Sequence, residues 1–111
     1  MGYVPERGDV VWITVAGATG HEQAGRRPAL VVSPAAYNAR VGLAIFCPLT
    51  RQVKGYPFGV AVPEGLPVEG VVLADQVKCL DWRARTADFA CSLPSETTGA
   101  VLQRLVTLLT P

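Results

Sequence analysis

Few side chains in this sequence can do chemistry on their own. Cys47, Cys79 and Cys91 are odd in number and widely spaced, with no C-x-x-C pair. That excludes a zinc ribbon or a thioredoxin-like dithiol and argues against a disulfide-stapled secreted domain. The three read most simply as small buried hydrophobes. His21 is the single histidine, so a two-histidine ribonuclease site or a multi-histidine metal centre cannot be built. A Cys–His nucleophile would need one of the cysteines to lie beside it. No G-x-x-x-x-G-K-[ST] and no G-x-G-x-x-G run is present, so phosphate-cradling nucleotide loops are absent. The expectation is an activity that needs no metal and no cofactor. What stands out is cationic. From Gln23 to Pro63 there is no Asp or Glu, while Arg26, Arg27, Arg40, Arg51 and Lys54 give that stretch a local charge of +5. Interleaved with Tyr37, Tyr56 and Phe58, these cations suit a polyanion whose bases can stack on rings. The same pattern also suits a solvated surface with its aromatics turned inward.

The whole chain bounds these readings. Its 111 residues allow one domain, spanning 1–111. Half are apolar and 17% are charged, which supports a packed core rather than disorder. The net charge of +1 excludes a strongly basic protein but not a local basic patch. The longest apolar stretch, near Val41 to Leu49, is too short to span a bilayer, and no membrane role is expected. The first residues lack a basic and an apolar region in series, so no signal peptide is expected and the default location is the cytoplasm.

The elements that must position these side chains are mostly strands. Asp9 to Val15 is β-branched and aromatic, and a Gly-rich loop follows from Ala16 to Gly25. Pro28 to Val32 reads as a strand. Ser33-Pro34 then opens a small helix, with Ser33 as N-cap, Pro34 at its first position and Gly42 just past its end. Leu43 to Pro48, Phe58 to Val62, Val71 to Leu73, Val77 to Leu80 and Arg85 to Cys91 read as further strands, with a polar turn from Thr50 to Pro57 and a Pro/Gly loop from Pro63 to Gly70. Towards the C-terminus the period changes. Val101, Leu102, Leu105, Val106 and Leu109 share one helical face, with Ser95 as N-cap and Glu96 at the positive helix start. Short strands separated by turns, closed by one amphipathic helix, predict a mainly β (α+β) fold: a small barrel with a short helix and a C-terminal helix packed on it.

Several blocks resemble a known family. Gly20-His21-Glu22-Gln23-Ala24-Gly25-Arg26-Arg27-Pro28 resembles the G-x-E-Q-x-G-x-R-P block of the MazF/PemK (Kid) toxin endoribonucleases. Gly8 to Trp12, Val32-Ser33-Pro34 with Tyr37-Asn38, Cys47-Pro48-Leu49-Thr50 with Lys54-Gly55-Tyr56-Pro57-Phe58, and Leu73 to Lys78 with Trp82-Arg83-Ala84-Arg85 are similar to its other blocks, in order. The resemblance runs from about Tyr3 to Arg85. It implies an SH3-like barrel shared with the CcdB gyrase poisons, a homodimer, metal-independent cleavage of single-stranded RNA at a short motif, and a MazE-like antitoxin that blocks the site with an extended acidic segment.

By this resemblance the catalytic arginine falls on Arg27, the catalytic threonine on Thr50 and an RNA-contacting loop glutamate on Glu22. The acid–Gln pair that reads a base falls on Asp75 and Gln76, and His21, Asn38 and Lys54 are placed with them as RNA contacts. The set makes chemical sense. RNA is cut without metal when its own 2′-OH attacks the neighbouring phosphorus, leaving a 2′,3′-cyclic phosphate and a 5′-OH. Arg27 suits charge stabilisation at that phosphorus through its fork of donors. Thr50 can donate to the same phosphate. Glu22 suits the general base, with His21 as second choice. Arg26 stands where some relatives carry a histidine, and Thr14 to Ala18 departs from the family's usual acidic, proline-marked strand end. Two other classes compete: a gyrase poison on the same fold, and an SH3-like peptide-binding module. The gyrase-directed relatives lack the Arg/Thr pair and end in an aromatic tail, whereas this chain ends Leu108-Leu109-Thr110-Pro111. Peptide-binding modules need a row of exposed aromatics, and only 7% of this chain is aromatic.

Overall fold

A computed structural model describes residues 2–15, 25–51 and 55–111. The Gly-rich loop at 16–24, with His21 and Glu22, and the turn at 52–54, with Lys54, lie outside the described residues. The elements in order are β1 (Asp9–Thr14), β2 (Arg26–Val31), α1 (Ala35–Val41), β3 (Leu43–Thr50), β4 (Gly59–Ala61), β5 (Val71–Leu73), β6 (Lys78–Asp81), β7 (Asp88–Ser92) and α2 (Ser95–Leu109). All strand pairs are antiparallel, in the order β4-β5-β3-β2-β1-β7, with β6 also on β3. β3 is the hub. β2 lies on one edge, and the other is shared by β6 along Leu43 to Phe46 and by β5 at Leu49 and Thr50. The outermost strands β4 and β7 do not pair with each other among the described residues, so the expected barrel is an open curled sheet.

The central strands read as near-continuous apolar runs because both faces of the sheet are buried. Neighbours in sequence divide between two cores, as the two-residue period of a strand requires. Val10, Leu30, Cys47 and Val72 join one cluster, which α2 covers with Val101 and Leu105. Val11, Ala29, Val31, Phe46 and Trp82 join the other. Phe46, Leu30, Val10 and Val11 are fully enclosed, each contributing about 1.5–3 kcal/mol of transfer free energy.

Both helices start one step away from the sequence expectation. Pro34 occupies the N-cap of α1 rather than its first position, and Ser33 does not cap. The Ala35 amide donates instead to the Glu6 carboxylate at 2.9 Å, so the cap comes from a segment remote in sequence. This contact and one from the Arg7 amide hold the Glu6 carboxyl below its ordinary range. Gly42 ends the helix at φ 82 as expected. In α2, Pro94 is the N-cap and Ser95 the first helical residue. Of the predicted apolar face only Val101 and Leu105 are buried, together with Thr98, while Val106 and Leu109 stay exposed. One thiol also differs from expectation. Cys47 and Cys91 are buried, and burial pushes the Cys47 thiol up to about 12, but Cys79 is exposed on β6.

Asn38, expected as an RNA contact, is fully buried. Its side-chain amide donates to the Pro5 carbonyl at 2.8 Å and the Ser33 carbonyl at 3.0 Å, and accepts from the Ser33 hydroxyl at 2.6 Å. Its own carbonyl accepts the Trp82 indole N–H at 2.9 Å. Ser33 in turn accepts the Ile45 amide at 2.8 Å. Asn38 is therefore a structural pin joining the N-terminal segment, the β2–α1 turn, β3 and the residue after β6, and no substrate reaches it.

Candidate active site

The geometry of the sheet decides which of the candidate side chains meet. β2 and β3 pair with Ala29 opposite Pro48, Leu30 opposite Cys47 and Val31 opposite Phe46. The pairing ends at Ala29 and Pro48, two residues short of Arg27 on one strand and of Thr50 on the other. Arg27 and Thr50 both line a cavity of about 370 Å³. Its floor is apolar, with Ile13, Phe46, Leu73 and Leu80, and its polar groups include Gln76, Lys78 and Arg85. Arg27 and Thr50 also border a second depression, of about 490 Å³, with Trp12, Arg51 and Glu69. The Arg27–Thr50 pair therefore stands where two grooves meet. An extended chain bound there can run to either side of it.

The backbone behind Thr50 is tightly constrained. Gly70 has φ 119, and a Cβ at that position would lie 2.2 Å from the Thr50 carbonyl oxygen. Only glycine allows β5 to enter the sheet this close to β3. Sequence reading places Gly70 in a Pro/Gly loop and gives it no part in the site. Gly70→Ala is expected to lower stability by about 2 kcal/mol in urea unfolding. Gly65→Ala, at φ 93 but in open space, should cost about 1 kcal/mol, and equal losses would show that the close approach to Thr50 carries no weight.

Of the described cations in the basic stretch, Arg26, Arg27 and Arg51 all line the second groove, and Arg40 does not. Arg26 is a strut: it bridges Asp88 at 2.7 Å and donates to the Thr14 hydroxyl at 3.0 Å and the Arg85 carbonyl at 3.1 Å. Arg40 lies in the last turn of α1. Arg27 and Arg51 line the grooves. Arg27 is exposed, with Nη1 at 3.3 Å from the Arg26 carbonyl. The cations that join Arg27 in the first groove, Lys78 and Arg85, come from the acid-containing C-terminal third, which charge counting passed over. The alternation along β6 was the available signal, since Lys78 and Leu80 share one strand face. Arg85 is held by donating to the Thr14 carbonyl at 3.1 Å.

Of the remaining candidates, Gln76 is exposed and lines the first groove. Asp75 turns away from it: the Tyr56 hydroxyl donates to its Oδ2, and its Oδ1 is buried without a hydrogen-bond partner. Trp12 is 39% exposed beside the second groove, so it is not a core residue. Tyr37 is exposed on α1, 3.9 Å from the Cys79 sulfur. The site can thus grip a phosphate through Arg27 and Thr50 and offer apolar and amide surface to a neighbouring base. No helix among the described residues is long and apolar enough to cross a membrane.

The chain is similar to known proteins over most of its length. A family described as PemK-like, MazF-like toxin of type II toxin-antitoxin system matches residues 6–109. The endoribonuclease toxin MazF of Escherichia coli K12 is 51% identical over 85 residues, covering 77% of this chain and 76% of that protein. The crystal structure of MazF from Deinococcus radiodurans superimposes with a TM-score of 0.87 at 50% identity, covering 97% of this chain and 98% of that one. The MazE-MazF complex from the same organism superimposes with a TM-score of 0.87 at 46% identity, covering 97% of each chain.

Proposed function

The chain belongs to the PemK-like, MazF-like toxins of type II toxin–antitoxin systems, and from that membership we propose that it is a sequence-specific endoribonuclease whose reaction centres on Arg27 and Thr50. The observation that supports this centre is that Arg27 and Thr50, far apart in sequence, both line each of two adjoining grooves. The protein acts in the cytoplasm on single-stranded RNA, as a homodimer, and a MazE-like antitoxin occupies the same surface to silence it.

The chemistry follows from the donors present. The 2′-oxygen of one nucleotide attacks the adjacent phosphorus, the P–O5′ bond breaks, and a 2′,3′-cyclic phosphate and a 5′-OH form. Negative charge builds on the non-bridging oxygens on the way. The Arg27 guanidinium meets it with two donors in a fixed fork, and the Thr50 hydroxyl adds a third. A guanidinium is a donor with no acceptor, so Arg27 stabilises charge rather than shuttling the proton. Glu22, in the segment that follows β1, takes the 2′-OH proton, with His21 as the alternative, and the departing O5′ takes a proton from solvent to give the 5′-OH. Arg26 takes no part, because Asp88, Thr14 and the Arg85 carbonyl already hold it.

The test is to incubate the purified protein with a long single-stranded RNA in excess EDTA and to map the ends. Discrete cuts leaving cyclic phosphate and 5′-OH are expected. RNA left intact by folded protein would overturn the reading.

A further inference from the structure

Arg85 joins the first groove from outside the basic stretch, and it is clasped at both ends. Its carbonyl accepts the Thr14 amide at 2.9 Å and Arg26 Nη1 at 3.1 Å. Its own Nη1 donates to the Thr14 carbonyl at 3.1 Å, and Arg85 lines the groove that holds Arg27 and Thr50. The Arg26 guanidinium is aimed by its other contacts. Nη1 also donates to the Thr14 hydroxyl at 3.0 Å, and Nη2 meets the Asp88 carboxylate at 2.7 Å. A guanidinium is a rigid plane, so holding Nη2 on Asp88 fixes where Nη1 points. Asp88, the first residue of β7, thus reaches the groove through Arg26 and the Arg85 backbone.

Two observations mark this strut as more than a stabilising pair. The Arg26 and Asp88 side chains are 31% and 69% exposed, and an ion pair that open to water adds little to stability. Thr86, which follows Arg85, has φ 53, and it alone among the described non-glycine residues takes a positive φ. A β-branched residue is strained there, and such strain persists where contacts on either side hold the backbone. Those contacts are present: Thr14 and Arg26 hold Arg85 on one side of Thr86, and Arg26 holds Asp88 on the other.

Resting on the endoribonuclease reading, we propose that the Asp88–Arg26 strut positions Arg85 to bind an RNA phosphate flanking the scissile one. Arg85 touches that phosphate through the donors that its Thr14 contact leaves over. Asp88 and Arg26 are positioning residues and act through it. The sign of the effect separates this role from plain electrostatics. Removing a carboxylate near an RNA-binding groove strengthens binding by charge alone, whereas loss of the strut weakens it.

The experiment measures kcat and KM on single-stranded RNA, with folding checked by urea unfolding. Asp88→Ala should raise KM about three- to fivefold, alike for every RNA sequence that is cut, with kcat close to wild type. Asp88→Glu keeps the carboxylate and should recover most of that loss. Arg85→Ala should raise KM about tenfold, and in that background Asp88→Ala should raise it no further. RNAs carrying single methylphosphonates locate the contact. Neutralising one flanking phosphate should weaken wild-type binding about tenfold, and Arg85→Ala should be indifferent to the change at that position. A KM for folded Asp88→Ala at or below wild type would overturn the proposal, as would a fall in kcat alone, the mark of lost folded protein. An added loss on top of Arg85→Ala would overturn it too. Wild-type protein that leaves all RNA intact would instead overturn the nuclease reading, and this inference with it.

Discussion

Arg27→Ala is expected to lower RNA cleavage by about 10³-fold while the protein stays folded. The magnitude follows from removing preorganised donors aimed at developing charge, where loss of a single donor already costs about 10²–10³-fold. The fold should survive because the Arg27 side chain is exposed near the start of β2 and contributes nothing to either buried core. Arg27→Lys sharpens the test. It keeps the charge but not the planar fork, so it should recover only part of the lost rate. Single-turnover cleavage of a mapped RNA measures both variants. Alanine and wild-type proteins that cut at equal rates would remove Arg27 from the reaction. If lysine matched wild type, charge alone would suffice.

The second large effect is on stability. Asn38→Ala is expected to cost about 3–4 kcal/mol in urea unfolding and to leave base preference unchanged. Truncation strips the Pro5 and Ser33 carbonyls and the Ser33 hydroxyl of their partner in a site with no access to water. Each orphaned group costs about 1 kcal/mol or more, and the vacated volume adds to the loss. Asn38→Asp should be comparably damaging, since it replaces two donated hydrogen bonds by a buried charge facing carbonyl oxygens. A variant of wild-type stability with weakened RNA binding would restore Asn38 to the interface and contradict the buried network.

Asn38 also shows where sequence reading stops. Its neighbours in the chain mark a small helix, and that helix is present with Gly42 at its end. Nothing in the local pattern says that Pro5, Ser33 and Trp82 close around it. Burial is a property of what packs on top, and those residues arrive from three separate segments. The same holds for Cys79. Its residue type favours burial, but it lies on β6, where Leu80 is partly buried and the other three residues are exposed. On α2 the periodicity correctly marks a helix, yet of its apolar face Val101 and Leu105 are buried, Leu102 is partly covered, and Val106 and Leu109 stay exposed.

The strand and helix pattern was legible in the chain. The two-residue and 3.6-residue periods, the glycines and the prolines fix those elements to within a few residues, and Val71–Leu73 matches the expected strand. The ordered blocks also carried the family and the pair Arg27 and Thr50. Tertiary structure alone decided the rest. Arg27 and Thr50 come to line one groove, Gly70 lets β5 press onto the Thr50 backbone, and Lys78 and Arg85 join that groove from β6, which pairs with the hub strand, and from the segment after it. It also brings the Tyr56 hydroxyl onto the Asp75 carboxylate, 19 residues along the chain. The physical reason is the range of the forces. Dihedral preference and hydrophobic period act over neighbouring residues and are written in the local sequence, whereas a site is made by side chains that share space only after the sheet has folded.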